Sequence, residues 1–514
     1  MNLLSTPRRI SLALGFSRFL KMILGLVVLY LSVKYFGTTF QRDSWVLSIA
    51  FWGIVICLIY SPINDIFRTK YIFIKSREGE EAAIRSVNSL MNLFNLSYLV
   101  VALAVFVFAT PISTLLAPGF DDEMRRYLYI MIFSLIPFFI LQQHSNILIA
   151  LLNTYESYFY PEIVFLLASI INILAIVFFS DTLGIYSLVV ATTLNNVIMV
   201  LVLTCMLKRK VRSFRPISME GIKWAKPFVK LSLPMYLGAL CSQVYLFVEK
   251  SLCTHFGEGA VSVFDYARQI ANMPYVVFSS IVPIVMTPLL SMAFVKGDEV
   301  TFSNEMRRLA HLFLYLTCFF VILMSVDAEQ VSYILFSCKH ETFMKILGYL
   351  CAGVFFMTVT LICGQALIAR DRVTDYVIAV ISGNIISILL CYVWVNISVH
   401  LENVALSFLS GQIISSLIAL YKLRIKGRKL FLKSLFFMFL ACLAAYGLTY
   451  SFQYLMRGTV LLSMDKLYVV MDMLICSIII FFILLCMLIA FDAEERKTIY
   501  DMYRRFVHKW FKHK

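Results

Sequence analysis

The sequence predicts an all-α polytopic membrane protein of about fourteen transmembrane helices, built as two six-helix lobes and two further helices. Three observations carry this. Of 514 residues, 61% are hydrophobic and only 15% charged, with a mean hydropathy of +0.85, more apolar than a soluble domain of that size. Apolar runs of about 20 residues, the length a helix needs to cross hydrocarbon, recur from end to end. Strand-like alternation is absent, which leaves helices as the spanning element.

The candidate spans are 10–36, 44–66, 88–117, 125–152, 158–180, 184–207, 230–256, 270–296, 309–336, 343–370, 374–398, 402–423, 433–457 and 466–491. Arg8 and Arg9 precede the first as they would in a signal peptide. No small-residue cleavage site follows and Lys21 interrupts the run, so a retained first helix is expected. Basic residues concentrate in connections after even-numbered spans, as in Arg68, Lys70, Lys75, Arg77 and Arg85, and again in Lys208, Arg209, Lys210, Arg212 and Arg215. Connections after odd-numbered spans hold few, among them Arg42, Arg125 and Arg126. This bias places both termini in the cytoplasm, and it accounts for most of the net charge of +15.

Residues 208–229 form the longest polar break and read as a cytoplasmic linker between an N-lobe, 1–207, and a C-lobe, 230–423. Residues 424–491 supply two additional helices, and 492–514 form a cytoplasmic tail. In that tail Ile499, Tyr503, Phe506, Val507 and Trp510 share one helical face, the pattern of an interfacial helix on anionic lipid. Ile147–Ile173 and Ile362–Ile388 each read as a helix end, a polar turn and a helix closing on Asn-Ile or a near variant. They recur six spans apart, which preserves orientation and implies parallel pseudo-repeats with a cleft between the lobes.

The chemistry narrows by exclusion. A Walker loop or nucleotide domain is absent from the sequence, which argues against ATP hydrolysis. The loops are short and poor in paired carboxylates, against a catalytic role, and there is no repeated filter-like loop of a channel. The twelve cysteines have no zinc-ligand or CxxC spacing and lie mostly in apolar runs, so neither metal nor cofactor is expected. No basic patch sits on a soluble domain, so nucleic acid is not a partner. A transporter remains.

Charge inside apolar segments marks its site. Glu249 and Lys250 lie deep in the seventh span, and Asp265 and Arg268 stand at the start of the eighth. The structural alternative is a pair of local locks, Glu249 with Lys250 or Asp265 with Arg268, that only fixes two helices together. Gln142, Gln143 and His144 read as interhelical hydrogen-bonding groups.

Several stretches resemble the MurJ (MviN) family of lipid II flippases, within the multidrug/oligosaccharidyl-lipid/polysaccharide exporter superfamily. The matching text is LPMYLGALCSQVYLFVEKS from Leu233 and GEGAVSVFDYARQIANMP from Gly257, with LLNTYESYFYPEIV from Leu151 and Leu14-Gly15-Phe16-Ser17-Arg18. The chain also departs from the pattern. Phe19 stands where the family usually has an aspartate, and the Leu-Pro-Asn-Leu-Leu-Arg-Arg-like run of the second helix is missing. Tyr266-Ala267-Arg268-Gln269 replaces Tyr-Ala-Asp-Arg, which shifts the cation by one place.

The resemblance implies a flippase of the bacterial inner membrane. Its cargo would be an undecaprenyl-pyrophosphate-linked saccharide, a lipid II-like peptidoglycan precursor, carried by alternating access. The partners implied are that lipid-linked glycan, membrane lipids and a coupling ion or the membrane potential. Arg18, Arg268 and Lys250 are the expected pyrophosphate-side cations, with Lys21 and Lys34 as further candidates on the first helix. Glu249, Asp265 and Asp43 are the expected counter-charges, and Gln243 and Ser262 the polar contacts to sugar. An exporter of O-antigen, capsule or exopolysaccharide units is the alternative cargo reading. A cation-coupled multidrug antiporter would want an acidic cavity, and a non-transporting scaffold would tolerate neutralisation of Arg268 or Lys250.

Overall fold

The structure, a computed structural model, describes residues 7–207 except 156 and 158, 236–423 except 398 and 399, 440, 443–451 and 466–491. The expected linker at 208–229 and tail at 492–514 lie outside the described residues, as does most of the thirteenth span. The described residues are helical, with no strand among them.

The helices are α1 Pro7–Phe36, α2 Phe40–Ile59, α3 Ser61–Glu78, α4 Glu80–Val107, α5 Ala109–Leu116, α6 Asp122–Ser134, α7 Ile136–Thr154, α8 Phe159–Leu183 and α9 Tyr186–Met206. After the linker come α10 Tyr236–Cys253, α11 Ala260–Ala271, α12 Met273–Val295, α13 Glu299–Val326, α14 Ala328–Phe336, α15 Glu341–Ala369, α16 Val373–Ile397, α17 Glu402–Lys422 and α18 Lys466–Phe491. Among the described residues, 10 helical stretches are long and apolar enough to cross a membrane. Spans beyond these ten rest on the sequence.

Several expected single spans are broken. The second is bent at Tyr60, where α2 gives way to α3, and the fourth at Leu135, where α6 gives way to α7. Pro62 and Pro137 stand within two residues of these breaks; each lacks the N–H that would continue the helix. α13 and α14 break likewise at Asp327, inside the expected ninth span.

The contacts divide the chain into two compact units. One comprises residues 1–270 and 380–411, the other 271–379 and 412–514. This is a division by packing, whereas the lobes read from the sequence rest on a repeat. In the first unit α1 packs on α8, α8 and α7 on α9, α2 on α6 and α10, and α3 on α4 and α7. Its core is aromatic where the helices break. The Trp52 ring stacks on Phe139 at 4.3 Å, and Tyr60 meets Phe94 edge-on at 4.5 Å. Trp52 Nε1 donates to the Ile132 carbonyl at 3.0 Å, satisfying an acceptor beside the α6–α7 break.

In the second unit α12, α13 and α15 pack together and α18 lies on α13 and α14. Val282, Met286, Leu290, Phe302, Met306 and Ile362 are buried in its core. Gln330 Nε2 donates to Asp472 at 2.7 Å and so ties α14 to α18. Large apolar side chains also line the outside, such as Leu103 at 62% and Phe178 at 71% exposed. Hydrocarbon rather than water is the solvent that suits them.

Trp52→Phe keeps the stack on Phe139 and loses the hydrogen bond to Ile132. Thermal unfolding of the purified protein should read a loss of about 1 kcal/mol.

Candidate functional site

The first unit brings two sequence-distant turns together. α1 ends at Gly37, which takes a φ of +58°, and α11 is entered through Gly257 at +94° and Gly259 at +81°, conformations that favour glycine. A Cβ on Gly259 would lie 2.5 Å from the Thr38 carbonyl oxygen, so the second turn can approach the first only without a side chain. Tyr266 Oη donates to the Gly37 carbonyl at 3.0 Å, and the Phe40 amide donates to Glu258 at 3.0 Å.

Asp43, buried in the first turn of α2, closes this junction. It accepts from the Gly259 amide at 2.7 Å, the Ser262 amide at 2.7 Å and the Ser262 hydroxyl at 2.5 Å. A helix start has unsatisfied N–H groups and a partial positive charge, so a carboxylate from α2 serves as the cap of α11. Asp43 and Ser262 thus engage each other, in an arrangement the sequence separates by 219 positions.

Next to this cap stands a chain of ion pairs. Arg42, 1% exposed, donates from Nε to Ser32 at 3.0 Å and from Nη2 to Asp265 at 3.1 Å. Its guanidinium lies over Trp45 and Tyr266, 4.6 and 4.8 Å from the ring centroids. Asp265 also accepts from Lys250 Nζ at 2.9 Å and from Gln269 Nε2 at 2.7 Å. Arg268 pairs with both carboxylate oxygens of Glu249, donates to Tyr245 Oη at 2.9 Å and lies over Phe408 at 4.0 Å. The partners therefore cross over relative to the local locks: Glu249 takes Arg268, and Asp265 takes Lys250 and Arg42. Adjacent residues on a helix point about 100° apart, so Glu249 and Lys250 serve different neighbours.

Three cations, Arg42, Lys250 and Arg268, balance three anions, Asp43, Glu249 and Asp265. All but Lys250 are buried. In this conformation the three cations are spent on Asp265 and Glu249, and Asp43 on the amides of Gly259 and Ser262 and the Ser262 hydroxyl. Gln243 lies two turns before Lys250 on α10, its amide nitrogen 3.8 Å from where a Cβ on Gly53 would stand.

The first-helix candidates form no part of this cluster. Lys21 pairs with Glu162 of α8 at 2.5 Å and lies 4.0 Å from the Phe165 ring centroid. Ser17 Oγ donates to the same Glu162 at 3.4 Å. Arg18 is half-buried one turn before Lys21, and Lys34 is exposed beside the Tyr35 ring. The residues missed from the sequence are Arg42, Tyr245, Tyr266, Phe408 and Glu162. Arg42 and Glu162 carried a readable signal, since each is an ionisable residue in the first turn of an apolar helix.

The fold has relatives among solved transporters. A structure of lipid II flippase MurJ in an inward closed conformation matches with a TM-score of 0.73 at 20% identity, covering 92% of this chain and 97% of that one. An inward-facing multidrug resistance MATE transporter of the MOP superfamily matches with a TM-score of 0.63 at 16% identity, over 79% of this chain and 96% of the other. At such identities the likeness is one of fold. A probable lipid II flippase MurJ of Aquifex aeolicus (strain VF5) is 26% identical over 218 residues, 42% of this chain. The match spans 43% of that relative's length. The family model for lipid II flippase MurJ matches residues 32–478, most of the chain. This protein belongs to the MurJ lipid II flippase family.

Proposed function

We propose that this protein flips an undecaprenyl-pyrophosphate-linked saccharide, lipid II by family, across the bacterial inner membrane by alternating access. The observation that carries the reading is the set of five paired charges, Arg42, Lys250, Arg268, Glu249 and Asp265, beside the Asp43 cap. A helix pair that only needed to stay together would be served as well by apolar packing, because a buried ion pair gains little net stability. Paired charges have a different property: they separate at low cost once water enters. That suits a closure which must open in every cycle.

With both termini cytoplasmic, the turns at 37–39 and 254–259 face outward, and the cap and ion pairs close the outer side. Arg18 and Lys21 then lie in the half of the first helix that faces the cytoplasm, where the cargo is loaded. The diphosphate of the headgroup competes with Glu162 for Lys21 and takes Arg18 as a second donor. The tail stays in hydrocarbon while the hydrated headgroup crosses between lobes. On opening, Arg42, Lys250 and Arg268 are exposed and offer the diphosphate its next partners. Gln243 and Ser262 are the polar contacts for sugar, and a coupling ion or the membrane potential drives the cycle. Because the chain transports, no enzyme activity is assigned to it. Export of a different repeat unit on the same polyprenyl diphosphate is the alternative cargo, favoured by the first-helix departure at Phe19, which leaves Arg18 without the aspartate usual in the family.

Native mass spectrometry of gently purified protein decides the cargo. A bound polyprenyl-diphosphate muropeptide supports lipid II, another glycan on that carrier moves the protein to polysaccharide export, and consistent absence of isoprenoid lipid refutes both. In proteoliposomes, Arg18→Ala and Lys21→Ala should each slow translocation of fluorescent lipid II at least tenfold, roughly the 1.4 kcal/mol of one charge-assisted hydrogen bond, with normal membrane insertion. Asp43→Ala should raise amide hydrogen exchange at residues 259–262 by about tenfold or more, as lost caps of ~1–2 kcal/mol do; unchanged exchange would mean that the cap bears no load. Glu249→Ala strands the Arg268 charge and should cost about 3–5 kcal/mol in thermal unfolding. The double variant Glu249→Leu with Arg268→Met should recover most of that stability and still fail to flip lipid.

A further inference from the structure

The first unit holds one feature that the transport cycle above does not use. Where the end of α10 and its following turn meet the last turns of α16, a cavity of 280 Å³ is lined by Leu252, His255, Phe256, Tyr392, Val395 and Asn396. None of these residues belongs to the ion-pair set, although Leu252 lies only one turn beyond Glu249. We propose that this cavity is a docking site for a single neutral sugar ring, of the hexose or N-acetylhexosamine class, on the outer side of the membrane.

The lining selects that class. Among the described residues it contains no lysine, arginine, aspartate or glutamate, so the described lining does not supply the basic pocket that a phosphate or an anionic lipid headgroup needs. Phe256 and Tyr392 provide two aromatic rings, and Tyr392 is 64% exposed. Asn396 donates Nδ2 to the Tyr392 carbonyl at 2.7 Å, which fixes its side chain and leaves Oδ1 as an acceptor. His255, exposed in the turn, adds a ring that both donates and accepts. A pyranose presents what such a lining complements, a C–H face for aromatic rings and a rim of hydroxyl or acetamido groups for planar polar side chains.

Size and position agree. The volume, 280 Å³, falls just under the roughly 300–1,000 Å³ typical of small-molecule pockets, room for one ring and not for an extended glycan. Below the cavity, the outward stripe Ile385, Leu389 and Val393 of α16 is 45%, 59% and 45% exposed, a lipid-facing surface. The cavity therefore sits at the edge of the hydrocarbon, where a lipid-linked sugar emerges. An interfacial aromatic belt accounts for a lone exposed Tyr392, but not for a hollow that also turns Phe256, His255 and Asn396 toward the same space. The inference rests on the flippase reading for which side is outer and for the sugar's source.

Saturation-transfer NMR on the full chain in nanodiscs of phosphatidylethanolamine and phosphatidylglycerol tests it, with N,N′-diacetylchitobiose and glucose as the probes. Wild-type protein should transfer saturation to ring and acetamido protons. Tyr392→Ala and Phe256→Ala should each reduce that transfer at least fivefold, while Tyr392→Phe retains it. Absence of transfer to either sugar in the wild type, or transfer unchanged in both alanine variants, would overturn the proposal. Translocation of fluorescent lipid II, followed on the same preparations, separates the two readings. Flipping without sugar binding removes the docking site alone, and sugar binding without flipping removes the flippase reading while the site stands.

Discussion

Ionisable side chains buried in an apolar helical protein must find their opposite charge nearby, and much of the first unit is arranged around that demand. Moving a carboxylate or guanidinium out of water costs several kcal/mol even after relaxation. Arg42, Asp43, Glu249, Asp265 and Arg268 all meet this cost within one small region. The tight approach of Gly259 to Thr38, the trans cap of α11 by Asp43 and the aromatic floor under Arg42 each serve to bring these partners into reach. Without the glycine at 259 the turns would stand apart, and Asp265 would lose Arg42 before it lost Lys250, since only Arg42 comes from the other side of that junction.

The way the charges are shared also matters. Asp265 divides its two oxygens between Lys250 and the pair of Arg42 and Gln269, whereas Glu249 gives both oxygens to Arg268. The first arrangement joins three elements through one carboxylate; the second joins two helices and is backed by Tyr245 and Phe408. Removal of Asp265 therefore frees two cations at once. Asp265 is the hinge of the charge balance, and Glu249 with Arg268 is its more self-contained part. In the proposed cycle, in which the cations meet a diphosphate in one state and are paired in another, a single carboxylate that holds two of them would release both together.

Much of this was legible in the sequence. Composition and run length are sufficient to place the helices, because hydrocarbon solvent leaves few other solutions, and α8, α9, α15, α16 and α17 begin and end within a few residues of their expected spans. The breaks at Tyr60 and Leu135 were less so: Pro62 and Pro137 were visible, but a proline near a helix break reads much like one inside a kinked span. The site shows the same pattern. Glu249, Lys250, Asp265 and Arg268 stand out as intramembrane charges, while their partners depend on helix rotation and on contacts across more than 200 positions. Arg42 reads from the sequence as a connection charge, because it falls between the expected spans 10–36 and 44–66. Tyr245 and Phe408 carried no signal, since an aromatic residue in an apolar helix looks like core until an arginine is found above it.

The departures from the family pattern acquire a physical meaning from the same rule. Phe19 replaces the aspartate expected beside Arg18, yet the first helix is not left without a carboxylate. Glu162 enters from α8, takes Lys21 as an ion pair and accepts from Ser17, one residue before Arg18. A counter-charge held on a neighbouring helix differs from one held on the same helix: it can be drawn away when the helices shift, without any change in α1 itself. Arg18 is thereby left with a weaker local hold than a neighbouring aspartate would give, and Lys21 with a partner held on another helix. In this chain the first helix exchanges a fixed ion pair for a movable one, the same economy of reversible pairing that closes the junction at Asp43 and Asp265.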